Sequence, residues 1–309
     1  MGSNMIGSTL TPKRTILIAL SLIFVWAVTL TPKKSFFDST NHFLGMDRPS
    51  KASSPYTFNI SSKVAIITDT AFTNRHIPLI MHYNGVLGPE WPIIFFTSQA
   101  VYDEQLKPTA ENASAVWGRA VDEGRVQVRI IPDEFDLTSR KSVNRYLASR
   151  WLWEQLAPAK HVLVFQADAI LCANSYKTVE DFFEYDFIGA TLAPNARLYN
   201  GGLSLRNREM IMKLFDEGHD FAKEIDEGTY RGGEDVWFSR KFGERGANLP
   251  SNETALEFSC EYNFHINVQK RPMGYHKIHK AAPLRLAEIA DWCPEIQLSG
   301  PGLLGKSEG

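Results

Sequence analysis

The chain has 309 residues, of which 44% are hydrophobic and 12% aromatic, and its formal net charge is −2. This composition is typical of globular proteins and excludes a disordered or collagen-like chain. The near-neutral charge argues against a nucleic-acid partner. The three cysteines, Cys172, Cys260 and Cys293, are too few for a disulfide scaffold and match neither a CxxC pair nor a zinc-knuckle spacing. A single disulfide could form by any of three pairings.

An uncharged apolar run at residues 15–31 lies between pairs of basic residues. It is barely long enough to span a membrane, which takes about 17–25 residues. A signal anchor is the favoured interpretation. A cleaved signal peptide fits less well because no A-x-A site follows the run. A buried core helix fits least, because the run has no amphipathic face.

The position of the N-x-S/T sequons indicates the topology, because the flanking basic residues are equal in number on the two sides of the run. The sequons at Asn59, Asn112 and Asn252 all follow the run. We therefore expect a single-pass type II protein of the Golgi or endoplasmic reticulum membrane with a lumenal folded domain. The predicted parts are a cytoplasmic tail at 1–14, a transmembrane anchor at 15–32, a stem at 33–62, one folded domain at 63–294 and a flexible tail at 295–309.

Short apolar runs alternate with segments of helical spacing through the folded domain. Strands are predicted at 64–68, 92–97, 126–131, 161–166 and 187–189, and helices at 77–86, 142–155, 178–183, 208–217 and 234–242. Such alternation predicts an α/β domain with a mainly parallel sheet. In these sheets ligands bind beyond the carboxyl ends of the strands, so polar residues that follow strands are candidate site residues.

The first and fourth predicted strands are each followed by such residues. The first strand ends in Thr68, and Asp69 and Arg75 follow it; these residues could form a nucleotide-binding edge or a turn with a helix cap. The fourth strand ends in Gln166, and Asp168 follows it. A carboxylate together with substrate phosphates is a usual way to hold Mg²⁺, although a lone Asp168 is also compatible with an ordinary turn.

Two glycine-containing motifs come next in the chain. Asn200, Gly201 and Gly202 could let the backbone approach a ligand closely, or they could form a hairpin turn. Glu234 and Asp235 follow two glycines at the start of a predicted helix. A carboxylate at this place can serve as a general base, or it can simply complement the helix dipole.

The last motif, GYHKIHK, contains His276 and Lys277. A histidine can complete a metal site, and a lysine can neutralise a diphosphate. A solvated basic loop is the alternative interpretation.

The order of these motifs resembles that of the GT-A glycosyltransferases. The strand-end aspartate is followed by YDFIGA, NGGLSLR, EDVWF and GYHK. The resemblance is closer still to a glycosyltransferase-like family common in fungi, with FQTDS, NGGLSLR, EDVFFS and GFH-type segments, and it covers about residues 63–282. It implies a GT-A-like, Rossmann-like fold with a mixed, mainly parallel sheet and helices on both faces. It also implies transfer of a hexose from a nucleotide-sugar donor to a hydroxyl of a glycan, glycoprotein or glycolipid.

The resemblance also implies roles for individual residues. Asp168 and His276 would bind a Mn²⁺ or Mg²⁺ ion together with the diphosphate. Asp235 would be the general base of an inverting reaction, with Glu234 as its rival.

The remaining motifs would contact the donor and the acceptor. Thr68 and Asp69 would face the nucleotide, and Asn200, Gly201 and Gly202 would face the sugar and the acceptor. The sequence departs from the DXD motif at Gln166, where the first carboxylate is missing. A metal-independent enzyme, or a binding protein without activity, therefore stays open as an alternative; a glycoside hydrolase is a third candidate because it too uses two carboxylates.

Overall fold

The computed structural model describes residues 57–107, 114–193, 196–264 and 271–300, and all of them belong to one unit. Its strands are β1 (Lys63–Thr68), β2 (Ile93–Thr97), β3 (Val126–Ile130), β4 (His161–Phe165), β5 (Ala169–Leu171), β6 (Phe187–Ala193), β7 (Ala196–Asn207), β8 (Ser259–Cys260) and β9 (Gly274–His276). The predicted cytoplasmic tail and anchor lie outside the described residues. No helix in the described part of the chain is long and apolar enough to cross a membrane.

The α-helices are short and are distributed along the whole unit. They are α1 (His76–Leu87), α2 (Gln99–Val101), α3 (Ala115–Asp122), α4 (Arg140–Leu147), α5 (Arg150–Glu154), α6 (Arg208–Asp216), α7 (Phe221–Asp226), α8 (Glu234–Glu244), α9 (Asn252–Phe258), α10 (Ile278–Ala281) and α11 (Leu286–Trp292). Three 3₁₀ helices add to them, at Val179–Phe182, Pro283–Arg285 and Pro294–Leu298.

The central sheet has six strands in the order β3-β2-β1-β4-β7-β6. Strand β1 pairs in parallel with β2 and β4, and β2 pairs in parallel with β3, whereas β7 is antiparallel to both β4 and β6. The prediction of an α/β fold with a mixed, mainly parallel sheet is therefore confirmed. A second sheet, in the order β5-β9-β8, extends the fold beyond the end of β4.

The core covers both faces of the central sheet. Val64, Ala65, Ile66 and Ile67 are all fully buried, and so is every residue of β2. Successive side chains of a strand point to opposite faces, so consecutive buried positions require packing on both sides. This explains why β1 and β2 are continuous apolar runs rather than alternating ones.

The helix predicted at 142–155 is wrong as a single element. The structure has two helices here, α4 and α5, because the Ser149 hydroxyl accepts a hydrogen bond from the Leu152 backbone N–H and begins a second helix. The N-cap of α4 is Ser139, three residues before the predicted start, and Ser142 completes a capping box with it. Serine competes with the helical backbone in this way because its side chain bonds nearby N–H groups.

The hairpin-turn interpretation of Asn200, Gly201 and Gly202 is also wrong. These residues lie inside the long strand β7, and the β6–β7 hairpin closes near the pair Ala193 and Ala196. The Asn-Gly pattern therefore lies in the middle of a strand, and packing rather than a turn explains the glycines.

Both predicted boundaries of the folded domain fall inside packed segments. Before residue 63, Ile60 is already buried. After residue 294, the chain continues in a 3₁₀ helix that buries Ile296 and precedes the buried Ser299. A disulfide joins Cys172 to Cys293, just before this segment. Residues 295–300 are thus part of the fold, and residues 301–309 lie outside the described part.

Candidate active site

A cleft of about 360 Å³ opens beyond the carboxyl end of β4. Polar side chains and glycines from six segments line it: the first turn of α4, the turn after β4, the middle of β7, the start of α8, and the segments that follow β8 and β9. They are Arg140, Asn144, Gln166, Asn200, Gly201, Gly202, Glu234, Asp235, Glu261, Tyr262, Lys277 and Lys280. The cleft therefore brings together most of the residues that the sequence motifs singled out.

Backbone pairing explains why distant motifs meet here. The Gln166 N–H donates to the Gly202 carbonyl over 2.8 Å, which joins the end of β4 to the middle of β7. Ala169 at the start of β5 pairs with His276 at the end of β9. The Lys277 N–H then donates to the Asp168 carbonyl over 2.9 Å. As a result, two motifs more than a hundred residues apart share one wall of the cleft.

Both glycines of β7 are required by close packing. A Cβ atom on Gly202 would lie 2.1 Å from Nε2 of His276. A Cβ atom on Gly201 would lie 2.3 Å from a guanidinium nitrogen of Arg206 and 2.9 Å from Oε1 of Glu234. Real Cβ atoms essentially never approach other atoms closer than 3.0 Å, so a side chain at either position would force the buried side chains of His276, Arg206 or Glu234 to shift.

Glu234 forms a buried ion pair with Arg206. Each of its carboxylate oxygens accepts a hydrogen bond of 3.2 Å from the guanidinium, and the two side chains are 3% and 0% exposed. The guanidinium also lies 4.9 Å from the ring centre of Phe187. Burial raises the pKa of Glu234 to about 7, although the charge of Arg206 opposes this shift. Both carboxylate oxygens of Glu234 therefore already accept hydrogen bonds from Arg206.

Asp235 is the partly exposed carboxylate of the pair. Its Oδ2 accepts a hydrogen bond from the Gly201 N–H over 3.1 Å, and its Oδ1 accepts one from the Val236 N–H over 2.8 Å. These two backbone donors fix the direction of the side chain on the cleft wall. Because each carboxylate oxygen can accept more than one hydrogen bond, Asp235 can still accept a proton from a bound hydroxyl.

His276 is 1% exposed and lies between two carboxylates. Its Nε2 is 3.2 Å from Oδ1 of Asp168 and 3.1 Å from the side-chain oxygen of Gln166, and its Nδ1 is 3.4 Å from Oε2 of Glu261. Burial alone would lower the pKa of His276, but the nearby carboxylates of Asp168 and Glu261 outweigh it and raise that pKa. Burial likewise opposes the lowering of the Asp168 pKa, which the hydrogen bond and charge of His276 bring about.

This arrangement does not fit a divalent metal ion. A histidine binds a metal through the lone pair of a neutral ring nitrogen. Here Nε2 of His276 already faces two oxygen atoms, those of Gln166 and Asp168, whereas its Nδ1 and Oε2 of Glu261, 3.4 Å apart, form no hydrogen bond with each other. Within the residues that the structure describes, no group of three or more His, Cys, Asp or Glu side chains could hold a metal ion.

The residues predicted after β1 do not line the cleft. Oδ2 of Asp69 is 3.0 Å from Nε2 of the buried His76, and its Oδ1 accepts a hydrogen bond from the Ala71 N–H, as in a turn. Arg75 donates to the carbonyls of Ala167 and Leu298. Thr68 ends β1. A contact of Thr68, Asp69 or Arg75 with a nucleotide therefore stays a prediction.

Five polar residues of the cleft were not among the predicted site residues. They are Arg140, Asn144, Glu261, Tyr262 and Lys280. Lys280 could have been found, because it belongs to the same GYHKIHK motif as His276. The others follow a two-residue strand or lie in a helix whose start was misplaced, so no local pattern marked them.

One family model matches the chain, over residues 125–276, and its description reads "protein of unknown function (DUF5672)". The matched region includes β4, the glycines of β7, the start of α8 and His276. It excludes Lys277 and the residues that follow β1. No curated protein matches the chain.

Solved structures that match the fold include three glycosyltransferases at low similarity. The glycosyltransferase GlyE of Streptococcus pneumoniae is 12% identical with a TM-score of 0.42, and the match covers 70% of this chain and 54% of that one. A mannosyltransferase of Pyrobaculum calidifontis, solved with GDP-Man and Mn²⁺, is 12% identical with a TM-score of 0.38, and the match covers 77% of this chain and 66% of that one. Core-mannan synthase A of Aspergillus fumigatus, in a Mn/GDP form, is 10% identical with a TM-score of 0.36, covering 66% and 76%. The chain thus spans about half the length of GlyE.

Proposed function

We propose that this chain is a glycosyltransferase that transfers a hexose from a nucleoside-diphosphate sugar to a hydroxyl acceptor on a glycan, glycoprotein or glycolipid. The observation that supports this most directly is the distribution of charge in the cleft. Among the described residues, Glu234 forms an ion pair with Arg206 and Glu261 lies 3.4 Å from His276, whereas the Asp235 side chain accepts hydrogen bonds from backbone N–H groups alone. The cleft therefore combines one available carboxylate with the cationic side chains of Arg140, Lys277 and Lys280.

In this proposal Asp235 is the general base. It accepts the proton of the acceptor hydroxyl as the oxygen attacks the anomeric carbon and the bond to the diphosphate breaks. Negative charge then develops on the leaving diphosphate, and the cationic side chains of the cleft stabilise it. A base on the acceptor side and cations on the leaving-group side favour an inverting reaction, in which attack and departure occur on opposite faces of the sugar.

The rim of the cleft offers a surface for a sugar ring. Tyr262 is 66% exposed and lines the cleft, as does the partly exposed Leu192. Aromatic rings present an apolar face and a polar edge, which suits the mixed surface of a hexose. In the proposed enzyme Tyr262 contacts the acceptor or donor sugar.

A binding protein without turnover is the second candidate, and Gln166 favours it. Gln166 stands where the resembling enzymes have a carboxylate, and its side-chain oxygen already contacts His276. A nucleotide sugar could then bind in the cleft without being cleaved.

For the cell we propose a type II protein anchored in the Golgi or endoplasmic reticulum membrane by residues 15–32, with the cleft in the lumen. The disulfide between Cys172 and Cys293 supports a lumenal domain, because such bonds persist in oxidising compartments and are rare in the cytosol.

A screen of nucleotide sugars tests the proposed function. Purified full-length protein is incubated with UDP- and GDP-linked hexoses, and both thermal shift and release of the nucleoside diphosphate are measured. We expect one donor to raise the melting temperature and to be turned over when an acceptor is present. Binding without any turnover would favour the binding protein, and cleavage of a glycan without a nucleotide would favour a hydrolase.

A further inference from the structure

We propose that the cleft holds the diphosphate of its ligand without a divalent ion, through the side chains of Lys277, Lys280 and Arg140. This inference rests on the proposed function and specifies how the donor is bound. Its basis is the way in which the charged groups around the cleft are already paired.

The negative groups near the turn after β4 lie against a histidine of the protein itself. Asp168 and Glu261 face opposite nitrogens of the buried His276, at 3.2 Å and 3.4 Å. The ring of this histidine fills the space between the two carboxylates and also lies against the backbone of Gly202. The ring has no space to move toward Gly202, so His276 keeps its place between the two carboxylates.

The positive groups of the cleft lack such balance. Within the described residues, no carboxylate forms a salt bridge with Arg140, Lys277 or Lys280. Arg140 and Lys280 are exposed and Lys277 is half-buried, so all three can reach a ligand in the cleft. A diphosphate carries two or more negative charges, and several lysine and arginine groups match it well.

The backbone at Lys277 supports a ligand-binding role. Its φ angle is +48°, and it is the sole non-glycine residue with a positive φ in the described part of the chain. A lysine in this conformation is strained and persists where the surroundings impose it, often at functional sites. Here the hydrogen bond from its N–H to the Asp168 carbonyl holds it at the cleft wall.

Binding measurements in the absence of metal test the inference. Inorganic pyrophosphate, GDP and UDP are titrated calorimetrically into the full-length protein in excess EDTA, and then in Mn²⁺. We expect at least one of the nucleotides and pyrophosphate to bind in EDTA, with less than a threefold change on adding Mn²⁺. Lys277→Gln and Lys280→Gln should each weaken binding about tenfold, since each removes a charge-assisted contact.

Lys223→Gln is the matched control. Lys223 is 68% exposed on α7 and does not line the cleft, so this variant should bind like the wild type. Melting temperatures of the three variants should agree, which separates lost contacts from lost folding.

The outcomes distinguish this inference from the proposed function. Binding that disappears in EDTA and returns with Mn²⁺ overturns the inference but leaves a glycosyltransferase in place. Wild-type affinity in both cleft lysine variants also overturns it. If neither nucleotide nor pyrophosphate binds under either condition, the proposed function fails together with the inference.

Discussion

Glu234 and Asp235 are neighbours in the chain but have different surroundings. At the start of α8 one side chain points into the core toward Arg206 and the other lies on the cleft wall. The same motif therefore contains one residue with a structural role and one that is available for chemistry.

Substitution of the two residues should separate these roles. Asp235→Asn should slow transfer by about 10²–10⁴-fold, because an amide cannot accept the proton, while donor affinity stays within about threefold. The Asp235→Asn side chain also loses one of its two hydrogen bonds to backbone N–H groups, which should lower the free energy of unfolding by about 1 kcal/mol. Glu234→Gln leaves the buried Arg206 without a counter-charge and should cost about 3–5 kcal/mol in the free energy of unfolding. Steady-state kinetics and denaturant unfolding of both variants check this; a fast Asp235→Asn enzyme would remove the base assignment.

The glycines of β7 can be tested by adding a single methyl group. Gly202→Ala places a Cβ atom against His276 and should destabilise the fold by about 1–3 kcal/mol. Gly85→Ala is the matched control, since a Cβ atom there meets nothing within 4 Å inside helix α1. Alanine is favoured over glycine in a helix by about 1 kcal/mol, so the control should be neutral or more stable. Equal melting temperatures of the two variants would argue against the packing explanation.

At the scale of elements, two long-range links hold the periphery of the sheet. Lys63 at the start of β1 donates to Oε1 of Glu180 over 2.7 Å, and the Trp91 indole N–H donates to the same oxygen over 2.7 Å. The disulfide joins Cys172, next to β5, to Cys293 after α11. Each link connects segments that are distant in sequence.

The Glu180 link should make stability depend on pH. Burial raises the pKa of Glu180, but the bonds from Lys63 and Trp91 outweigh it, so that its folded-state pKa lies below 4.5. The stabilisation is therefore present above pH 4.5 and is lost as the pH falls through the lower folded value. Glu180→Gln should cost about 1 kcal/mol at pH 7, discounted for partial exposure, and less at pH 3. Unfolding at both pH values is compared with Glu104→Gln, an exposed control; a deficit that does not shrink at pH 3 would contradict the assignment.

The disulfide should contribute a larger amount. It closes a loop with a sequence separation of 121, so replacing both Cys172 and Cys293 by serine should cost about 2–5 kcal/mol. Alkylation under denaturing, non-reducing conditions, followed by mass spectrometry, should label Cys260 alone. A label on all three cysteines of the secreted or lumenal protein would show that the bond does not form.

At the scale of the whole molecule, the sequons test the proposed lumenal topology. Asn59 is exposed, whereas both side-chain atoms of Asn252 are bonded, to the Thr191 hydroxyl and the Ala193 carbonyl. We expect glycosidase treatment of the protein from microsomes to reduce its mass, and Asn59→Gln to reduce that change. Asn252→Gln should leave the mass change unaltered, because the side-chain amide of Asn252 is hydrogen-bonded within the folded chain. Digestion of the folded domain by protease outside intact vesicles would contradict the topology.

The α/β class and the main strands could be predicted from the sequence, because they depend on local patterns. Strands that are buried on both faces of a parallel sheet consist of consecutive apolar residues, as at 64–68 and 161–166. Such runs can be recognised in the sequence without knowledge of the fold. Asp168, Asp235 and His276 could be selected for the same reason, since polar residues after strands or at helix starts stand out locally. The break between α4 and α5 could not be predicted, because it depends on whether Ser149 caps a new helix or lies inside a continuous one.

The sequence by itself determined the sheet class, the order of the motifs and the residue types that could do chemistry. Only the tertiary structure decided which of two adjacent carboxylates faces the cleft, and that His276 is enclosed by Asp168 and Glu261. It also decided that the glycines of β7 are fixed by packing rather than by a turn. The reason is physical: charge pairing and steric exclusion depend on atoms brought together from distant parts of the chain, whereas hydrophobic periodicity is a property of neighbours.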